Sequence, residues 1–268
     1  MLSHLLSLIA CTAPDSAPKA GAGHDDTGDS AADTADTADS PASFPLKIGI
    51  PAYFYPDAQW DAVVAAGAKA AVMIVNPDSG AGAAADPVYA EAITRAKNAG
   101  ILVLGYVSTA YGDRAEAEVF LDIDNYANWY GVSGYFFDEV SGAAECAFDK
   151  KYYDRATNRA GTSLPGSYVA FNPGTDTCEY FLNIADVIVT FEDSAAAYAV
   201  WAAPDWTRQQ PAARFWHLVL DTAESELAST LERAVANNVA TVYVTDDVLD
   251  NPWDTLPSYW DKELAAIE

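Results

Sequence analysis

From Phe44 onward, apolar and polar positions alternate in two rhythms. Short, nearly unbroken apolar runs recur at Leu46–Ala52, Ala70–Val75, Ile101–Val107, Gly134–Phe137, Ser167–Phe171, Ala185–Thr190, Arg214–Leu220 and Ala240–Thr245. Runs of this length, rich in β-branched and aromatic residues, predict buried strands. Between several of them lie Ala-rich stretches of helical character, at Asp57–Ala66, Pro87–Ala99, Ala115–Tyr130 and Ser225–Asn237. Pro87 stands where a first helical turn tolerates proline, and Gly100 follows where that helix must stop. Strands apolar on both faces and separated by helices predict a parallel sheet covered on both sides. Eight such units predict an α/β chain folded as a single (β/α)8 TIM barrel over residues 44–268, preceded by a disordered N-terminal tether.

Residues 12–43 follow neither rhythm. They are Ala, Asp, Ser, Thr, Gly and Pro with the near-repeat Ala-Asp-Thr-Ala-Asp-Thr-Ala-Asp and no large apolar side chain. Such a segment cannot bury enough surface to offset its ordering entropy, which predicts a disordered acidic linker. Before it, Leu5–Ala10 is apolar but too short to span a bilayer, and Leu8-Ile-Ala-Cys11 is similar to the lipobox of bacterial lipoproteins. Lys and Arg are absent from the residues ahead of it, which departs from that pattern. Residues 1–11 are therefore expected to be a lipoprotein-type signal with Cys11 as the lipidated residue. The chain is expected to be exported, lipid-anchored to the bacterial cell envelope (outer membrane) or secreted.

Composition narrows the partners. The net charge is −25 and only seven Asp and one Lys fall in residues 12–43, so most of the negative charge belongs to the folded part. Nucleic-acid binding needs clustered Lys and Arg, and is excluded on this ground. A neutral or cationic substrate fits better. No Gly-x-Gly-x-x-Gly follows the first strand and no P-loop occurs. With three His and three Cys, no cluster has metal-ligand spacing, so neither cofactor nor metal is expected. With Cys11 set aside, Cys146 and Cys178 follow two consecutive strands. A disulfide between them is the expectation, and a free buried pair the alternative.

In a barrel of this kind, chemistry sits where the strands finish. The first strand is followed by Tyr53, Phe54 and Tyr55, the second by Asn76, the third by Thr109 and Tyr111. The fourth ends in Asp138-Glu139, the fifth in Asn172-Pro173-Gly174, and the sixth in Phe191-Glu192. The seventh carries His217, and the eighth leads to Asp246. Carboxylates and amides among Tyr and Trp line a site for sugars, whose hydroxyls the polar groups bind and whose rings stack on the aromatics. Tyr53, Tyr55, Asn76, Tyr106, Thr109, Tyr111, Asn172, His217 and Asp246 are the candidate substrate-binding residues.

Six pieces carry a family resemblance. They are Ile50-Pro-Ala-Tyr-Phe-Tyr-Pro56, Ile74-Val-Asn-Pro-Asp-Ser-Gly-Ala-Gly82, Gly105-Tyr-Val-Ser-Thr-Ala-Tyr-Gly112, Gly134-Tyr-Phe-Phe-Asp-Glu139, Asn172-Pro-Gly174 and Thr190-Phe-Glu192. In this order they resemble the spherulation-specific family 4 (spherulin-4) proteins, which are similar to glycoside hydrolase family 135. Ala81 stands where the family usually has Pro. The resemblance implies a (β/α)8 barrel that cleaves α-1,4-linked galactosamine or N-acetylgalactosamine polymers endo-wise, with Asp138, Glu139 and Glu192 as its acids. A monomer with an amino-sugar polysaccharide as partner, touching membrane only through a lipid anchor, is the expectation.

Glycoside hydrolysis needs one protonated and one ionised carboxyl across the scissile bond. Adjacent strand residues point to opposite sides, so Asp138 and Glu139 are not expected to face each other, and one of them should pair with Glu192. Glu139 or Glu192 is then the general acid and Asp138 the nucleophile or electrostatic stabiliser. The competing reading is a non-catalytic surface polysaccharide-binding or structural coat protein using the same cleft, which would not require the three acids.

Overall fold

The computed structural model describes residues 44–267; the predicted signal, Cys11 and the linker lie outside the described residues. Eight parallel strands close into a barrel in chain order: β1 (Lys47–Ala52), β2 (Ala70–Val75), β3 (Leu102–Ser108), β4 (Gly134–Asp138), β5 (Tyr168–Phe171), β6 (Val187–Ser194), β7 (Phe215–Leu220) and β8 (Thr241–Val244). Closure is made by β1 and β8, with Lys47 opposite Thr241 and Ile48 opposite Val242. The helices are α1 (Ala58–Ala66), α2 (Pro87–Asn98), α3 (Glu116–Asn125), α4 (Cys146–Ser163), α5 (Ala195–Val200), α6 (Leu227–Ala236) and α7 (Trp260–Ala266). The (β/α)8 reading of the sequence is borne out.

Local signals account for several boundaries. Asp57 and Asp86 accept the amides of Gln59 and Val88 at 2.8 Å, so each caps its helix, and Pro87 sits in the first turn of α2. The stretch expected to be helical through Tyr130 instead leaves the α-helix after Asn125 and closes a π-turn over Tyr126–Tyr130. The wider turn lets two buried tyrosines reach back to the sheet side: the Tyr126 hydroxyl donates to the Val75 carbonyl and the Tyr130 hydroxyl to that of Ala81.

Inside the barrel, Trp216 packs edge-on against Phe136, with ring centroids 5.6 Å apart. A Cβ at Gly49 would lie 2.5 Å from the Trp216 ring, so β1 must carry glycine there for the indole to fill the interior. Burying a side chain such as Phe136 contributes roughly 1.5–3 kcal/mol. Cys146 at the start of α4 and Cys178 in the β5–β6 connection are joined by a disulfide, with Cα atoms 5.9 Å apart. Among the described residues, no helix is long and apolar enough to cross a membrane.

Candidate active site

The carboxyl ends of β4, β5 and β6 bring three groups together. Asn172, one residue beyond β5, donates from Nδ2 to Asp138 Oδ1 at 2.7 Å and to Glu192 Oε2 at 2.6 Å. Its Oδ1 accepts the Gly174 amide at 2.9 Å, which fixes the amide's orientation. Gly174, beside the Glu192 side chain, has φ +64°, a left-handed backbone that favours glycine at this turn. Asp138 also accepts from the Tyr106 hydroxyl and the Glu139 amide, and Glu192 from the Trp253 side chain.

Burial, and then the Asp138 charge, push Glu192 up to about 7, against the pull of its Asn172 and Trp253 bonds. Burial also raises Asp138, while its bonds to Tyr106, the Glu139 amide and Asn172 favour the ionised form. Asp138, with more donors, is thus the better-stabilised anion, and Glu192 is the member of the pair that keeps its proton up toward neutral pH.

Glu139 corrects the alternation expected at this strand end. The strand stops at Asp138, and Glu139 has φ +54°, which turns its side chain back toward the cleft that Asp138 lines. The Ser108 hydroxyl donates to its carboxylate, and its carbonyl accepts from Tyr111 N at 2.7 Å. A left-handed backbone at a non-glycine residue held from both sides is a feature of functional sites.

The cleft above these acids has a volume of about 450 Å³ and is walled by Tyr111, Pro173, Asp193, Leu220 and Leu249. Of the residues expected in it, Tyr111 and Asn172 line it; Tyr106 is bonded to Asp138, and Tyr53 lies beside Tyr106 at 5.5 Å, close enough to feel the Asp138 and Glu192 charges. The others are placed elsewhere. Thr109 is buried and its hydroxyl binds the Asp138 and Glu139 carbonyls, so it shapes the loop and is not available to substrate. Asn76 accepts the Gly80 amide in a turn, and Tyr55 bonds Asp86 at the start of α2. The Asp246 carboxylate is occupied by the amide and hydroxyl of Ser258; burial raises its pKa, but these bonds outweigh that and hold it low.

His217 is the clearest correction. It points away from the barrel interior, fully buried between Thr190 and Tyr198, and burial lowers its pKa to about 3. Residues not singled out from the sequence include Ser108, Leu249 and Trp253. The signal that could have found Trp253 is an indole in the loop after β8. Among the described residues, no group of three or more His, Cys, Asp or Glu could hold a metal ion. A larger groove of about 510 Å³ lies between α5 and α6 on the outer wall, lined by Arg208, Glu226 and Arg233, but none of the three acids reaches it.

The sequence model of spherulation-specific family 4 matches residues 47–267. Spherulin-4 of Physarum polycephalum is 34% identical over 243 residues, covering 84% of this chain and 71% of that protein. Among solved structures, Aspergillus clavatus Sph3 in complex with GalNAc matches with a TM-score of 0.72 at 24% identity, over 84% of this chain and 98% of that one. The spore cortex-lytic enzyme SleL of Bacillus cereus matches with a TM-score of 0.53 at 10% identity, over 85% of this chain and 75% of that one.

Proposed function

The chain belongs to the spherulation-specific family 4, and on that premise we propose that it is a glycoside hydrolase cleaving α-1,4-linked galactosamine or N-acetylgalactosamine polysaccharide by a two-carboxylate, endo-acting mechanism. One observation carries this reading: a single amide nitrogen holds Asp138 and Glu192 at 2.7 and 2.6 Å in the mouth of the barrel. Two oxygens bonded to one nitrogen can be no farther apart than the two bonds laid end to end. That short span supports the roughly 5–5.5 Å separation of carboxyls in retaining enzymes over the about 6.5–9.5 Å of inverting ones.

In this mechanism Glu192 protonates the glycosidic oxygen as it leaves, and Asp138 attacks the anomeric carbon to form a glycosyl-enzyme ester. Glu192, now ionised, then takes a proton from the water that displaces Asp138, which restores both groups. Glu139 places a further carboxylate where the ring hydroxyls or a 2-ammonium group of the sugar would lie. The acidic cleft with Tyr111 in its wall supports an amino sugar, and Sph3 in complex with GalNAc supports the same class. The test is reducing-end release from purified galactosaminogalactan by the full chain, with proton NMR of the first product. The α-anomer should appear first; immediate β-product or no release counts against the reading.

The reading of residues 1–43 adds a proposal for location: export, with Cys11 acylated and a tether to the envelope. Intact-mass analysis of membrane-fraction protein should find acyl mass on Cys11. Soluble protein that retains residues 1–10 would contradict it.

A further inference from the structure

The register of β6 against β7 is irregular, and the irregularity determines where Glu192 points. Val189 pairs with Trp216 and the next pair is Phe191 with His217, so Thr190 is an extra residue in β6. Trp216 faces the barrel interior against Phe136, and its partner Val189 shares that face. His217 faces outward, and so does Phe191, whose ring lies 4.6 Å from Tyr198 of α5 and 5.1 Å from Trp201. Thr190, bonded to His217, is outward too. Two consecutive outward residues mark a bulge, and after it Glu192 returns to the interior face beside Leu218. A strand without the bulge would put Phe191 into the barrel mouth and Glu192 among the helices, because a one-residue slip exchanges the two faces.

What holds the extra residue is a buried hydrogen-bonded line. Thr190 Oγ1 is 3.0 Å from His217 Nε2, and His217 Nδ1 is 2.6 Å from the Tyr198 hydroxyl. All three residues are buried, and Phe191 and Trp201 wall the imidazole, with ring centroids 6.0 and 5.1 Å from it. In either neutral tautomer one ring nitrogen donates and the other accepts, and both hydroxyls rotate to match. The imidazole therefore satisfies both hydroxyls, and removing one partner leaves a buried polar group unpaired.

We propose that Thr190, His217 and Tyr198 form a positioning unit that locks the β6 bulge and so aims Glu192 at Asn172 and Asp138. The unit touches no substrate and acts only through Glu192; the inference rests on Glu192 being the proton donor. It also accounts for a histidine in the seventh strand of a barrel whose site does not use it.

The experiment compares the full-chain wild type with Thr190→Val, Thr190→Ser and Tyr198→Phe by crystal structure and by kinetics on galactosaminogalactan. Thr190→Val keeps the shape and deletes the hydroxyl. Its Glu192 should withdraw from Asn172, and kcat should fall roughly 10- to 100-fold with KM within about threefold, the scale of a misplaced catalytic group. Thr190→Ser should restore both the contact and kcat, which a generic loss of packing would not allow. Should Thr190→Val fail to fold, Tyr198→Phe decides on the same two readouts, with a smaller loss of about three- to tenfold expected. A Glu192–Asn172 bond kept at its present length, with wild-type kcat in the folded variant, overturns the inference. Because the position of Glu192 is read crystallographically, a wild type that does not cleave the polymer refutes the hydrolase reading while the displacement of Glu192 still decides the positioning one.

Discussion

A side-chain amide nitrogen carries two hydrogens, and Asn172 directs one at Asp138 and the other at Glu192. That arrangement keeps two buried acids adjacent, and with both pKa values raised the pair holds a proton near neutrality. A pH dependence of defined sign follows. Glu192 must be protonated to act as acid, so kcat/KM should fall as pH rises through about 7. Asp138 must be ionised, and burial raises its pKa, so the acidic limb should sit above the ordinary Asp value. A pH–rate profile flat from about pH 5 to 9 would contradict both assignments. Asn172 and the acids are legible in the sequence because they follow apolar runs, and Tyr106 because it falls near the end of one. His217 is misleading for the opposite reason: a polar residue in an apolar strand reads as a site residue, yet its partners come from β6 and α5, which no spacing reveals.

At the scale of elements, the strands and capped helices are legible because period and end signals are local. The full β6 is not: its apolar run ends at Thr190, while the strand continues through its bulge to Ser194, and one inserted residue leaves no mark in hydrophobicity. Helix α4 does not stand out either, because its buried stripe of Cys146, Tyr152, Tyr153, Ala156 and Ala160 runs among charged residues. Helix α7 carries a different kind of information. It is tied down by Lys69, which donates to the Leu264 and Ile267 carbonyls at 2.8 Å, and it buries Glu263 against β8. Glu263 Oε1 accepts the Val244 amide and Oε2 has no partner, so burial raises its pKa to about 8. The unfolded chain loses this proton near pH 4.3, whereas the folded chain keeps it to about 8. Stability from this group is therefore complete below the lower value and is lost as pH rises toward the upper one, at roughly 1.4 kcal/mol per pH unit. Glu192 adds a contribution of the same sign up to about 7. Glu263→Gln should flatten the decline and raise Tm above that of the wild type at about pH 8. Thermal melts across pH that fall in parallel for the two proteins would contradict this.

For the whole molecule, closure of eight parallel strands places the ends of β4, β5 and β6 side by side, which is why residues from 138 to 192 meet in one mouth. The strong negative charge of the chain and the acids of the cleft agree in sign, favouring approach of a cationic polymer. The central claim is that Asp138 and Glu192 are catalytic and not structural partners. It is tested most directly by measuring turnover on an α-linked galactosamine polymer and Tm on the same preparations of wild type, Asp138→Asn and Glu192→Gln. Both substitutions keep shape and remove the charge or proton. Turnover should fall by roughly 10²–10⁴-fold in each, while Tm stays level or rises as repulsion between buried acids is relieved. Near-wild-type turnover in both variants, with lowered Tm, would show instead that these carboxylates hold the barrel mouth together and do no chemistry.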